Sequence, residues 1–393
     1  MKAIALGAVA ELNPTKPKGL QPEHLCSFVP MEAVDDYLGA ITKPVEKQIG
    51  EVNQGYTYFA NDDVLFAKIT PCMENGKCAI ARGLVNNVGF GSTEFHVVRA
   101  HEDVMPEWIY YFLRQENVRR EAIRHMTGSA GQQRVPIAFL RDLLIPLPPL
   151  AEQQRIAGLL RRADRLRRLR RYALEVSAGY LQAVFVEMFG ELTANPLGWT
   201  FNALGEVANI ASGVTKGRDF KGKATITTPY LRVANVQDGF LDLSEIKMIE
   251  ALPSDVEQLR LVHGDVVMTE GGDFDKLGRG AIWEGHVANC IHQNHIFRVR
   301  LNRDAVLPRY FVAFLLSPFA KQYFLRASKQ TTNLATINMT QLKALPVPLP
   351  PMAVQQKFVA VAEQHQRLRR QQEEALRQAE HLFQALLRRA FAF

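Results

Sequence analysis

Apolar residues at Ile156, Leu159, Ala163 and Leu166, then at Leu169, Ala173, Val176 and Tyr180, recur at helical spacing with one three-residue step in the middle. Pro146, Pro148 and Pro149 stand before them. Proline lacks the amide donor and fixes φ, so no helix runs through that stretch. Glu152–Phe189 then holds no proline and two glycines, Gly158 and Gly179. The spacing predicts a helix over about 151–189, a rod of about 57 Å at ~1.5 Å per residue. A second series, Phe358, Val361, His365, Leu368, Gln372, Ala375, Ala379, Leu382 and Leu386, keeps a heptad and predicts a helix over about 353–391. His365 and Gln372 are its polar members. Two rods with one apolar stripe each are most simply buried against one another, as an antiparallel coiled coil.

The two rods belong to a longer repeat. Val347–Pro351 follows Ile145–Pro149 by 202 positions, and Gln355-Gln356 follows Gln153-Gln154 by the same interval. Asp62–Phe66 matches Gly264–Met268, and Gly76, Ala79 and Ile80 match Gly278, Ala281 and Ile282. A period near 200 residues is too long for a solenoid and describes a duplicated globular domain with its rod. The expected divisions are 1–144 and 193–345 for the globular domains, with helical regions 145–192 and 346–393. Each globular domain has strand-length runs rich in β-branched and aromatic residues, Val64–Ile69 and Phe95–Arg99 in one, Val266–Thr269 and His295–Leu301 in the other. Pro106–Arg124 and Pro308–Ala327 read as amphipathic helices. The expected fold is α+β: two mixed α/β domains, joined and separated by two long antiparallel helices, with pseudo-two-fold symmetry.

Composition narrows the function. The chain has 393 residues and a formal net charge of +7. No apolar run approaches the roughly 18 residues of a membrane span, and Met1–Ala10 is too short for a secretory signal. The four cysteines fit no common zinc spacing, and reduced thiols in a cytoplasmic protein are expected. Seven arginines fall between Arg161 and Arg171. Such a run is ordinarily a solvated helix face or a surface for an acidic partner, and here Arg161, Arg165 and Arg168, with Arg369 and Arg370 on the second rod, are candidate subunit contacts. No phosphate-binding G-x-x-x-x-G-K-[ST], G-x-S-x-G, H-E-x-x-H or Asn/Asp-Pro-Pro-aromatic sequence occurs. His292 and His295 have a ligand-like interval but fall at a predicted strand edge. Asp238, Glu245 and Lys247 admit one enzymatic alternative, a Mg²⁺-dependent nuclease. A coiled-coil scaffold for protein partners is another. What recurs in both domains is basic and amide side chains on loops: Lys68, Asn75, Lys77, Gln132, Gln133 and Arg134 in the first, and Lys216, Arg218, Lys221, Lys223, Lys276, Arg279, Lys329 and Asn333 in the second. Arg and Lys suit guanine and phosphate, and Asn and Gln suit the adenine edge, so these are candidate DNA contacts.

The chain resembles the specificity subunits of type I restriction-modification systems. The resemblance rests on residues 62–81 (DDVLFAKITPCMENGKCAIA), 89–99 and 126–136 (MTGSAGQQRVP) in the first domain, and on 229–242 and 264–272 in the second. It rests equally on PLPPLAEQQRI and PLPPMAVQQKF, each between a recognition-type domain and a long helix. It implies a non-catalytic reader of double-stranded DNA, with each domain recognising half of a split target. It also implies two methyltransferase subunits using S-adenosylmethionine and restriction subunits using ATP and Mg²⁺, with no cofactor held by this chain.

Overall fold

The computed structural model describes residues 3–129, 131–272, 277–330 and 335–392. The chain forms two compact units, Met1–Tyr172 with Glu373–Phe393, and Ala173–Gln372. Strand and helix are mixed in both.

In the first unit an antiparallel sheet runs in the order Ala10–Leu12, Phe95–Ala100, Val64–Ala67, Cys78–Ile80. Val64–Ala67 is buried throughout, which is why it reads as an unbroken apolar run rather than an alternating one. A second sheet orders Val45–Gln48, Leu25–Val29, Val88–Gly91 and Thr57–Ala60, with one parallel pairing. The second unit repeats the first sheet with Ala208–Ser212, Ile296–Leu301, Val266–Thr269 and Gly280–Ile282. The expected single helices after each sheet are broken into pairs. Pro106–Leu113 is followed by Glu116–Arg124, and Pro308–Leu315 by Pro318–Ala327. In the second pair, Ser317 caps the new start by accepting from the Ala320 amide.

The repeated proline-glutamine sequences have a physical cause. Gln153 is fully buried. Its Oε1 accepts from the Met105 amide at 3.0 Å, and its Nε2 donates to the carbonyls of Asp103 and Pro148 at 3.1 and 2.9 Å. Gln355, equally buried, accepts from Leu307 at 2.9 Å and donates to Ala305 and Pro350 at 2.9 and 3.0 Å. The proline run supplies a further acceptor in each unit. Trp108 Nε1 donates to Pro146 O at 2.8 Å, and Tyr310 OH donates to Pro348 O at 3.0 Å. The polyproline stretch thus has carbonyls that no helix claims, and the glutamine ties helix start to globular core.

The first rod is two helices, Leu150–Ala178 and Tyr180–Phe189, divided at Gly179, and the second is one helix, Met352–Ala390. The apolar stripe expected for the first rod is buried only near its start, where Ala163 is buried and Ile156 packs against the core. Leu166, Leu169 and Tyr172 are exposed, whereas Ala157, Leu160, Ala163, Asp164 and Arg167 are buried in the first unit. The buried face includes charge because the charges are matched. Asp164 accepts from Arg167 and Arg168, while the Arg167 guanidinium lies 4.6 Å from the ring centres of both Tyr37 and Phe383. On the second rod the expected Phe358 and Ala379 are buried, Leu368 and Leu382 face outward, and Ala362, Phe383 and Leu387 are buried as well. Within the second unit, His365 Nε2 lies 3.1 Å from Ser177 O, its ring stacks on Tyr180, and Ser177 Oγ donates to Gln372 at 3.3 Å.

Replacing Gln153 with leucine should orphan one amide and two carbonyls in a dry site. At about 1–3 kcal/mol for each unsatisfied group, the expected outcome is a clearly lower denaturation midpoint of the first unit. Urea titration of Gln153→Leu beside Gln154→Leu, whose side chain is exposed, measures the difference.

Candidate nucleic-acid interface

Strand register brings three of the sequence-selected regions of the first unit to one sheet end. Ala67 pairs with Phe95, so the next residues outward are Lys68 and Glu94, joined by Lys68 N donating to Glu94 O at 2.9 Å. Val135 N donates to Lys68 O at 2.9 Å, and Arg134 bridges Ile69 and Thr127. The hairpin carrying Gln132, Gln133 and Arg134 therefore closes over Lys68. Gly128 and Gly131 allow it, with φ of +119° and +84°.

Arg134 is aimed by Glu94, a residue that a search for basic and amide side chains passes over. Arg134 Nε and Nη2 donate to the Glu94 carboxylate at 2.9 and 2.7 Å, and Nη1 donates to Gln132 O at 3.0 Å. A guanidinium has five N–H bonds, so two remain for a ligand. The Arg134 hydrogen bond, with the charges of Arg134, Lys68 and His96, holds the Glu94 carboxyl below its usual range against a burial effect of opposite sign. Gln132 is exposed, while the Gln133 carbonyl accepts from the Thr70 amide and hydroxyl.

The second unit builds the same sheet end with other chemistry. Thr269 pairs with Ile296, and Glu270 N then donates to His295 O at 3.0 Å. Ile337 N donates to Glu270 O at 2.8 Å. Glu270 stands where Lys68 stands, His295 where Glu94 stands, and Thr336 where Arg134 stands. His295 Nδ1 and Glu270 Oε2 are 2.6 Å apart, and both side chains are partly exposed. Neither residue is among the DNA-contact candidates drawn from the sequence, in which His295 entered only as a metal ligand. The signal was present in the pairing register, which spacing alone does not give.

The other candidates lie elsewhere. Lys77 donates to Met31 O at 3.0 Å. Asn75 is exposed beside a cavity of about 470 Å³ that Arg114, Arg119 and His381 also line. Lys216, Lys221 and Lys223 are exposed on one loop, where Arg218 pairs with Asp255 at 3.1 Å. Arg279 donates to Gln237 at 2.9 Å. Lys329 belongs to a short strand paired with Thr336, and Lys276 and Asn333 fall outside the described residues. Of the candidate subunit contacts, Arg161 and Arg165 are exposed and line a cavity of about 360 Å³ with Arg168, which is half-buried on Asp164. Arg370 lies 3.9 Å from Glu284, and Arg369 is half-buried.

The carboxylates of the nuclease alternative are neutralised by their own neighbours. Asp238 accepts from Lys321 at 3.0 Å and lies 3.7 Å from Arg279. Glu245 accepts from Arg232 at 2.6 Å, with Lys247 at 3.5 Å; the Arg232 bond and these cations lower its pKa. Among the described residues no group of three His, Cys, Asp or Glu is placed to hold a metal. His292 is buried with Nδ1 against Ile296 O at 2.9 Å, and burial drops its pKa to about 4. No helix among the described residues is long and apolar enough to cross a membrane.

Comparison with known proteins agrees with this arrangement. The family model for the type I restriction modification DNA specificity domain matches residues 39–175 and 196–378. The chain belongs to that family. It is a DNA sequence-recognition subunit with two tandem recognition domains and is not itself an enzyme. It is 41% identical over 152 residues to the type I restriction enzyme EcoAI specificity subunit of Escherichia coli, a match spanning 38% of this chain and 26% of that protein. It is 25% identical over 463 residues to the EcoEI specificity subunit of Escherichia coli, spanning 92% of this chain and 76% of that one. Its fold is similar to a chain from a structural study of complex assembly and conformational transition of the type I R-M system, with TM-score 0.63, 23% identity, and 99% and 97% of the two chains covered. It is also similar to the type I restriction-modification S subunit from M. genitalium, with TM-score 0.56, 14% identity, and 100% and 96% covered.

The Glu94–Arg134 pair gives a pH test with a definite sign. Because the Glu94 pKa is lowered on folding, the pair's contribution is complete above the ordinary carboxylate value and is lost as pH falls through the lowered one. The Arg134 Nε–H signal should be protected from solvent exchange at neutral pH and lose protection in that acid range. Glu94→Gln should remove the protection already at neutral pH.

Proposed function

We propose that each unit reads one half of a bipartite double-stranded DNA target through the sheet end and hairpin just described. The Arg134 geometry carries this reading. A carboxylate fixes one edge of the guanidinium and leaves two N–H bonds outward, the arrangement suited to guanine O6 and N7. In the second unit the Glu270 carboxylate is repelled by phosphate and suits the amino group of cytosine or adenine, with His295 against it. Lys216, Lys221 and Lys223 supply backbone-directed charge.

The helices, in this reading, form an antiparallel coiled coil that fixes the interval between half-sites. The uninterrupted 39 residues of Met352–Ala390 support it. The same helices dock methyltransferase subunits, which bring S-adenosylmethionine, and the assembly recruits restriction subunits that use ATP and Mg²⁺. Support for docking comes from Leu166, Leu169 and Tyr172, which share one exposed helix face in the first unit with exposed Arg165 alongside.

Arg134→Ala should relax one position of the first half-site at a cost of about 1–3 kcal/mol, whereas a uniform loss on all sequences would assign Arg134 to phosphate. Glu270→Gln should alter one position of the other half-site and leave the first unchanged. Sequencing the methylated motif in cells supplying the methyltransferase subunit reads both. A motif in which either substitution changes both halves together contradicts the two-reader model.

The spacing role has its own test. Ser177 and Gln372 are hydrogen-bonded, so four-residue helical insertions after Val176 and after Gln372 enter at the same level. They add about 6 Å, near two base pairs, and return the buried face within about 40°. The expected motif keeps both half-sites and has a longer unspecified spacer. Retained methylation with an unchanged spacer rules out the ruler.

A further inference from the structure

Three positions that are equivalent in the two units carry opposite charges. In the first unit, Arg82 follows the strand Cys78–Ile80, Glu107 is the second residue of the helix Pro106–Leu113, and Arg161 lies eight residues beyond Gln153 on the rod. In the second, Glu284 follows Gly280–Ile282, Arg309 is second in Pro308–Leu315, and Glu363 lies eight residues beyond Gln355. Each position in the second unit is 202 residues after its counterpart. The order positive, negative, positive has become negative, positive, negative.

Arg82 and Glu107 are paired and line one cavity with Arg161, and Arg309 contacts both Glu284 and Glu363. Arg82 Nη2 donates to the Glu107 carboxylate at 2.5 Å. Burial alone would raise the Glu107 carboxyl; the Arg82 hydrogen bond, with the charges of Arg82 and Arg161, brings it below its usual value. Arg309 Nη2 donates to Glu284 at 2.9 Å, and its Nε is 3.4 Å from Glu363. Arg309 Nη1 also donates to Gln366 at 2.9 Å, and Arg370 stands 3.9 Å from Glu284. The Glu107 and Arg309 side chains are only 14% and 28% exposed, so solvent screens these contacts incompletely.

We infer that the two inverted triads match each recognition domain to its own helix and discriminate against the other one. The duplicated scaffolds share the buried glutamine clamp, so the clamp does not distinguish the two docking surfaces. Charge sign does. A first domain seated on the second helix would place Glu107 against Glu363, and a second domain on the first helix would place Arg309 against Arg161. Like charges at such contacts oppose the wrong pairing, both within a chain and between copies. Asp164 occupies the place of Gln366 but offers little to Arg309 there, because Arg167 and Arg168 already hold it. Nothing in this matching requires DNA.

The test uses sign reversal in the full chain. Arg161→Glu in the natural sequence should lower the unfolding midpoint of the first unit by roughly 2–4 °C. In a chain whose residues 1–144 are replaced by a copy of Trp199–Leu345, the same substitution should raise the midpoint by a similar amount. A shift of the same sign in both chains, or none in either, overturns the inference. If the exchanged chain does not fold, the natural one decides. Glu107→Arg should lower its midpoint, and adding Arg82→Glu and Arg161→Glu should restore it; failure to restore rejects the triad. The methylated motif separates this result from the DNA reading. A folded exchanged chain with Arg161→Glu should give the second half-site in both arms. Rescue of the midpoint without sequence-specific methylation counts against the proposed readers and leaves the matching intact.

Discussion

The buried glutamine at the start of each long helix is the contact on which the rest depends. Gln153 and Gln355 each satisfy one amide and two carbonyls from two separate stretches of backbone, with no exposure to solvent. An unpaired polar group in such a site is expensive, so the geometry tolerates little adjustment. The clamp sets the rotation of the helix beneath its domain. Leu160 and Ala163 consequently face the first core, and Phe358 and Ala362 the second. It also positions the residues two turns farther along, Arg161 and Glu363, beneath Glu107 and Arg309.

Much of this was legible in the sequence because duplication made it so. Two copies of a proline-glutamine sequence, each ahead of an apolar helical run, marked the helices, the hinges and the repeat. The side of the first helix that is buried was not legible. Arg167 and Arg171 read as part of a solvated charge run, yet Arg167 is buried against Tyr37 and Phe383 and Arg171 lies over the Tyr37 ring. These aromatic and acidic partners come from distant parts of the chain. Leu166 and Leu169 fitted the expected stripe equally well and face outward. A period identifies a helix, but mixed faces leave its rotation to tertiary contacts.

The candidate interface divided in the same way. Lys68 and Arg134 were found by residue type, and their convergence needed only the strand register. Glu94 and Glu270 escaped because carboxylates are not sought on a surface meant for a polyanion, and His295 was weighed only as a metal ligand. Their positions make sense once each is paired: Glu94 orients Arg134, and His295 stands beside Glu270. Lys77 was selected on type alone and proves to be tied to the Met31 carbonyl. Duplication preserved the backbone hydrogen bonds at this sheet end, while Lys68, Glu94 and Arg134 gave way to Glu270, His295 and Thr336.

The composition of the first unit bears on how the chain is made. Its core includes Phe383, Leu387, Ala390 and Phe391, with Trp108 4.4 Å from the Phe391 ring. Those residues leave the ribosome only after the whole of Ala173–Gln372. During synthesis the first recognition domain therefore waits, its Trp108 face uncovered, while every residue of the second unit emerges. A nascent chain stalled near Gln372 would carry a complete set of residues for the second unit and an open apolar surface on the first, the kind of surface that chaperones bind.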